Sequence, residues 1–259
     1  MTTLAAYPQN HFMESKKIHR RKYAVRISEL DHNRKMTPYA ITQLMQEVGM
    51  QQTIEYGVAT WDLGNHAWIL IAIHLQVHEY PSHGDTITIE TYPSGFNKIY
   101  AYRDYKMYNE KEELIASAAS TWTYIDMVNN KVEKIPEAFL HLVVDDSVDT
   151  LPICQRRIKV PTEMEQTDSI TIHNYDLDWN NHVNNNHYLR FILGNTPTEL
   201  DGYIPASISI QYLKDAYAGD EILAFAKYSA PLTSHHTLVK KDGQTEIIRS
   251  LITWKSISQ

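Results

Sequence analysis

Leu30-Asp31-His32-Asn33-Arg34-Lys35-Met36-Thr37 and Leu177-Asp178-Trp179-Asn180-Asn181-His182-Val183-Asn184 are two readings of one pattern, L-D-x-N-x-(basic)-(apolar)-(Thr/Asn). Each opens a helical stretch. In the first copy Thr37 is a good N-cap and Pro38 fits the first helical position. Ile41, Leu44, Met45 and Val48 then keep helical spacing until Gly57 ends the helix. In the second copy Asn184 or Asn185 caps a shorter helix carrying Tyr188, Phe191 and Ile192, with Gly194 as its stop.

The repetition continues downstream. His74 to Asp85 and Ser209 to Asp220 each run from an alternating apolar strand into Gly-Asp, and further strands follow at 86–92 and 221–228. Ser120-Thr121-Trp122 is echoed by Ile252-Thr253-Trp254. Asn109 to Glu112 and Asp242-Gly243 mark the last hairpins, the second being a two-residue turn signal. Ordered matches at three places predict a duplication. Each half reads as a strand, a helix and four antiparallel strands, a sheet curled around its helix. The halves are expected at 1–135 and 165–259, joined by a connector over 136–164 that carries Pro136, Pro152 and Pro161.

Composition bounds the rest. A chain of 259 residues is one large domain or two of about 100–150. Lys plus Arg is 24 and Asp plus Glu is 31, and the net charge of −7 argues against a nucleic-acid binder, which needs a basic face. Hydrophobic residues at 43% and charged residues at 21% argue against disorder. One cysteine, Cys154, excludes an intrachain disulfide framework. The longest apolar run, 67–77, is too short to span a bilayer and is interrupted by His74 and Gln76, so no membrane association is expected. The first twenty residues lack the apolar run of a signal peptide. Seventeen tyrosines favour strands. The 13 histidines include no H-x-x-x-H pair on a predicted helix with a third ligand, and no metal is expected.

The two copies differ at one informative position: Lys35 in the first is His182 in the second. Histidine titrates near neutral pH and lysine does not, so the second copy has the better catalytic equipment. On an extended segment Asp178, Asn180 and His182 point to one side. They would converge on a helix start whose free N–H groups, near Val183 to Asn185, stabilise negative charge. The same residue types also build turns and caps, and Asp31 and Asn33 occupy these positions without a base. Spacing alone leaves both readings open.

Asp178-Trp-Asn180-Asn-His182-Val183-Asn184-Asn185, followed by Tyr188, resembles the signature of acyl-acyl-carrier-protein (acyl-ACP) thioesterases. So do Ile41 to Gly49, Gly57-Val58-Ala59-Thr60, Tyr80-Pro81 and Ile89-Glu90-Thr91, and the likeness covers about residues 20–258. The resemblance implies an α+β tandem double hot-dog, two antiparallel sheets each wrapped around a long helix. The N-terminal hot-dog would bind the acyl chain and the C-terminal one would be catalytic. It implies hydrolysis of fatty acyl-ACP without a cofactor, with Asp178, Asn180 and His182 on the family's catalytic positions and Asp215 on its acidic position, usually Glu. The next residue, Cys in many plant relatives, is Ala216 here, which disfavours a cysteine nucleophile. Plant members carry a plastid transit peptide; the fold here starts close to the first residue, which points to a bacterial-type, cytoplasmic member.

An acyl chain needs an apolar tunnel. Met45, Val48 and Met50 on the first helix, with Trp68, Leu70 and Ile73 on the following strand, are candidates, against plain core packing. The carrier is acidic, so an acidic enzyme must meet it through a local basic patch. Two runs qualify: Arg20, Arg21 and Lys22 after His19, and Arg156, Arg157 and Lys159. An acyl-CoA thioesterase, a hot-dog hydratase or dehydratase, and a non-catalytic acyl-binding module are the alternatives. Pairing of the internal dimer into a homodimer is left open.

Overall fold

The computed structural model describes residues 17–194, 200–229 and 232–257. The first half runs β1 (His19–Ala24), α1 (Pro38–Glu55), β2 (His66–Val77), β3 (Thr86–Asn97), β4 (Tyr100–Tyr108), β5 (Leu114–Asp126) and the two-residue β6 (Lys131–Val132). The second runs β7 (Glu165–Thr171), α2 (Asn185–Leu193), β8 (Tyr203–Tyr212), β9 (Glu221–Ser229), β10 (Thr233–Lys240) and β11 (Glu246–Ser256). The strand order is β1-β3-β4-β5-β2-β8-β11-β10-β9-β7, with β6 on β5, so each half repeats the other from its outer edge inward.

The two expected sheets are continuous with each other. β2 and β8 pair antiparallel from Ala72↔Gln211 to Gln76↔Ser207, fusing the halves into one sheet of eleven strands. They are the innermost strand of each half, and pairing them removes two open edges. His74 Nδ1 meets Ser209 Oγ at 2.8 Å, and Gln76 Nε2 donates to the Ala206 carbonyl at 3.0 Å across the seam.

Alternation along β2 decides what each face carries. Ile73, Leu75 and Val77 join Ile41, Met45 and Val48 of α1 in a core that also takes in Leu189, Ile192, Ile208 and Ile210. Each such burial contributes roughly 1.5–3 kcal/mol. Ala72 belongs instead with Ala119, Cys154 and Leu151 on the opposite face. The connector crosses that outer face: the Leu151 N–H donates to Asp104 Oδ2 at 2.7 Å and the Ile158 N–H to Gln211 Oε1 at 2.9 Å.

Both helices start as their sequences predict. Thr37 Oγ1 accepts from the Ala40 N–H at 3.1 Å, and Asn184 Oδ1 from the Asn186 N–H at 2.9 Å. Gly57, just past the C-cap Tyr56, has φ +65°, where a Cβ would be strained. The helices differ in length, 18 residues against 9. The β10–β11 hairpin is longer than a two-residue turn. Asp242 Oδ1 accepts from the Gln244 and Thr245 N–H groups at 2.9 Å each, as Asn109 Oδ1 does from Lys111 and Glu113 at 2.9 and 3.0 Å in the first half.

Candidate active site

The repeated segments are closed turns rather than extended strands. In the first, the Asp31 N–H donates to the Lys35 carbonyl at 2.8 Å and the Arg34 N–H to the Asp31 carbonyl at 3.0 Å. In the second, Asp178 and His182, and Asn181 and Asp178, make the same bonds at 2.8 and 3.0 Å. Arg34 and Asn181 hold the turn at φ 61° and 60°. Each aspartate locks its own turn: Asp31 Oδ1 accepts from the Asn33 and Lys35 N–H groups at 2.8 and 2.9 Å, and Asp178 Oδ1 from Asn180 and His182 at 2.8 and 3.4 Å. The segment is a closed turn with Asn181 at positive φ, so the alternation of an extended strand, which would put Asp178, Asn180 and His182 on one side, does not apply to it.

Two of the helix-start N–H groups expected to be free are engaged. Val183 donates to the Ala216 carbonyl and Asn184 to the Asp176 carbonyl, each at 2.9 Å. The Asn185 N–H, at the first helical position, has no acceptor among the described residues. Pro38 holds the matching place in the first copy and has no N–H to offer.

The same comparison locates Asp215. Met36 donates to the Pro81 carbonyl as Val183 does to Ala216, and Ser82 and Tyr217 are both capped by the aspartate of the following Gly-Asp, at 2.8 and 2.9 Å. Lys35 Nζ accordingly donates to Ser82 Oγ at 3.1 Å. His182 sits edge-on to Tyr217 with ring centroids 5.0 Å apart, its Nδ1 3.8 Å from Asp215 Oδ2. That separation is too long for a hydrogen bond.

A cavity of about 250 Å³ opens at the second turn and runs into the first half. Asp178, Trp179, Asn180, Asn184 and Asn185 line its mouth end, Gln46, Gly49, Met50 and Thr53 its helix side, and Trp68, Phe96, Trp122, Phe139 and Leu142 its apolar end. Asn186 Nδ2 donates to Gln46 Oε1 at 2.8 Å and ties the two helices at the mouth. His182 and Asp215 stand outside the lining, His182 on the turn that carries Asp178 and Asn180 and Asp215 on the loop that follows β8. Of the expected tunnel residues only Trp68 and Met50 line the cavity. Met45, Val48 and Ile73 pack in the shared core, and Leu70 is buried but not part of the lining.

Several lining residues escaped the sequence reading. Phe139 lies in the connector, and Trp179 meets Trp61 at 5.4 Å, both rings more than half exposed, a pairing that sequence distance hides. Arg103 left a signal: Ala101, Arg103, Tyr105 and Met107 alternate onto one face of β4, and only Arg103 is charged. Gly49 is required by close approach, since a Cβ there would sit 2.9 Å from the Tyr105 hydroxyl.

The two basic runs fare differently. Arg20 is paired with Glu90 and Glu112, and Arg21 with Glu55, along the β1 edge, leaving Lys22 exposed. Arg156, Arg157 and Lys159 are exposed on the connector without a carboxylate partner among the described residues, Arg156 lying 4.0 Å over the Tyr100 ring. Among the described residues no helix is long and apolar enough to cross a membrane.

Residues 16–143 match the acyl-ACP thioesterase N-terminal domain, and residues 159–256 match the acyl-ACP thioesterase C-terminal domain. The chain is 22% identical over 267 residues to a chloroplastic dodecanoyl-[acyl-carrier-protein] hydrolase of Cinnamomum camphora, covering 95% of this chain and 70% of that one. Against a second curated relative it spans about half the length, 47%. In fold it resembles an acyl-ACP thioesterase from Bacteroides thetaiotaomicron, with a TM-score of 0.82 at 20% identity over 92% of this chain and 98% of that one. It also resembles the 12:0-ACP thioesterase of Umbellularia californica, with 0.81 at 18% over 93% and 98%. The likeness establishes the double hot-dog. With both domain types matched in order over the two halves of one fused sheet, this chain belongs to the acyl-ACP thioesterase family.

Proposed function

We propose that this chain hydrolyses fatty acyl-ACP thioesters to free fatty acid and holo-carrier, with the thioester at the second-half turn and the acyl chain in the first half. One observation carries this reading: the cavity joins the polar turn of one half to an aromatic end in the other. That is the shape an acyl chain with a reactive end requires.

In the mechanism, the Asn180 side chain and the unengaged Asn185 N–H hold the carbonyl oxygen, the latter at the positive end of α2. His182, oriented by Asp215 and Tyr217, takes a proton from a water placed between the imidazole and the cavity. The water oxygen attacks the carbonyl carbon, and charge collects on the oxyanion. Collapse breaks the C–S bond, and the leaving thiolate recovers the proton from His182. Asp178 holds the turn through Oδ1, while Oδ2 has no partner among the described residues and Asp178 lines the cavity. A covalent route through an Asp178 anhydride is the competing path. Single-turnover hydrolysis in oxygen-18 water separates the two, because label in Asp178 requires the anhydride.

Arg156, Arg157 and Lys159, with no carboxylate partner among the described residues, support docking of an acidic carrier better than Arg20 and Arg21, whose charges are already matched. A carrier KM that does not change with salt would remove that patch. The deciding assay incubates the protein with ACP and CoA thioesters of matched lengths. Free fatty acid from ACP in preference to CoA is expected. An enoyl product would indicate a dehydratase, and binding without turnover an acyl-binding module.

A further inference from the structure

The acyl cavity carries one group that hydrocarbon does not need. Arg103 of β4, part-buried, lines its wall, and desolvation pushes the guanidinium pKa down. A buried cation is ordinarily matched by a carboxylate. Among the described residues Arg103 forms no ion pair. Its bonds go to neutral oxygens: Gln52 Oε1 at 2.7 Å, Thr91 Oγ1 at 3.2 Å and Thr53 Oγ1 at 3.4 Å. The acid next to it, Asp104, is on the outer face, where it accepts from Ser94 Oγ at 2.9 Å and the Leu151 N–H at 2.7 Å. A guanidinium has five N–H donors. Three are engaged here; the N–H on Nε and one on Nη2 have no acceptor among the described residues.

The height of this group along the cavity is readable from α1. Gln46 is tied to the mouth through Asn186, whereas the Arg103 partners Gln52 and Thr53 lie six and seven residues further on, about 10 Å along the helix. Beyond them the lining is aromatic. An unsubstituted chain would therefore lay methylene groups against a charged donor midway to its end.

We propose that the cavity receives an acyl chain bearing an oxygen substituent, hydroxyl or keto, part-way along its length, with Arg103 donating to that oxygen. The inference deepens the thioesterase reading by naming the substrate class, but its binding test does not depend on turnover.

The experiment compares fatty acids of equal length with and without a mid-chain hydroxyl, by displacement of an environment-sensitive fluorescent fatty acid from the full chain. The same acids are then supplied as ACP thioesters. The hydroxy acid is expected to bind about tenfold more tightly or better, since a site built to hydrogen-bond a hydroxyl disfavours the analogue that lacks it. Arg103→Met should abolish that preference. Gln52→Glu, which gives the guanidinium an internal carboxylate while keeping it in place, should weaken it. Equal binding of the two acids by the native protein overturns the proposal. So does a folded Arg103→Met protein that keeps the preference, because Arg103 is then only an anchor for α1. If Arg103→Met does not fold, an undiminished preference in Gln52→Glu overturns it instead. Tight hydroxy-acid binding with no hydrolysis of either ACP thioester would sink the thioesterase reading and leave this one standing.

Discussion

At the start of α1 the turn carries Lys35 and Pro38; at the start of α2 the same turn, closed by the same hydrogen bonds, carries His182 and Asn185. The difference beneath the helices runs the other way. Arg103 pairs with Pro93 and Ser120, and Tyr105 with Thr91 and Ala118; at the matching ladder positions of the second half stand Ser234, paired with Tyr228 and Ile252, and His236, paired with Ala226 and Ser250. The first half has an open cavity there. In the second, His236 and Tyr228 pack edge to face at 5.7 Å, and Ser234 Oγ accepts from Trp254 Nε1 at 2.9 Å and meets His236 Nε2 at 2.8 Å. Counting from the two helix starts, α2 ends at the level of Gln46, while α1 continues through Gly49, Met50 and Thr53, which line the cavity. On the proposed reading, chemistry and room are divided between the copies, and each half needs the other.

Breaking the chemical side of this contrast should give the largest effect. His182→Ala is expected to lower kcat by about 10²–10⁴-fold, the usual contribution of a positioned acid–base. Lys35→Ala, the same change in the other copy, should leave kcat essentially unchanged. Steady-state release of fatty acid from acyl-ACP measures both, and full activity in His182→Ala would end the proposed mechanism.

A subtler change makes the second helix start like the first. Asn185→Pro removes the N–H together with the carboxamide at the cavity, with little cost to the helix, because Asn184 is already extended (φ −56°, ψ 130°) and the first helical position accepts proline. The expected loss is about 10²–10³-fold in kcat, as for an oxyanion donor, with the melting temperature near that of the native protein. Asn185→Ala keeps the N–H and should keep most of the activity. Native kcat in Asn185→Pro would take the backbone donor out of the reaction.

The packed interior of the second half should be visible in acid. Burial holds the His236 pKa at about 4. An unfolded histidine titrates near 6.5, so between about 6.5 and 4 the unfolded chain binds the extra proton. Stability is then complete above about pH 6.5 and declines as pH falls through that window, by roughly 3 kcal/mol from this residue. Burial lowers the pKa of His74, His187 and His235 as well, and these add in the same direction. Urea midpoints taken from pH 7 to 5 should fall less steeply for His236→Gln. An unchanged slope would place the acid sensitivity in other groups.

Much of the duplication was legible because it rests on local chemistry: caps, Gly-Asp turns and alternation. Thr37, Asn184 and Gly57 do what their residue types do anywhere. Fusion of the sheets was not legible, since nothing in β2 or β8 marks an edge as paired or free, and both are apolar enough for either. The site was legible by residue type and not by direction. Asp178 and Asn180 line the cavity and His182 does not; the turn between them holds Asn181 at positive φ, and an asparagine is only one of several residues that tolerate that conformation. Tunnel residues were hardest to read. Met45 and Met50 are both apolar and both on α1, and which of them meets the cavity depends on a sheet curvature that the helix sequence does not carry.

That last distinction can be tested with the smallest of the expected effects. Trp68 and Phe139 close the apolar end with ring centroids 6.0 Å apart, and Phe139 comes from the connector rather than from either sheet. Truncating either to alanine extends the cavity, and the ratio of longer to shorter product acids should rise by about tenfold, the value of roughly one methylene in an apolar pocket. Met45→Ala empties space in the core instead. It should cost about 2–5 kcal/mol of stability while leaving the product ratio unchanged. Competition between acyl-ACP substrates of two lengths, read as the ratio of released acids, compares the three variants on one scale. If Met45→Ala lengthened the products and Phe139→Ala did not, the acyl chain would have to lie under the middle of α1, against the shared core, and not toward the connector.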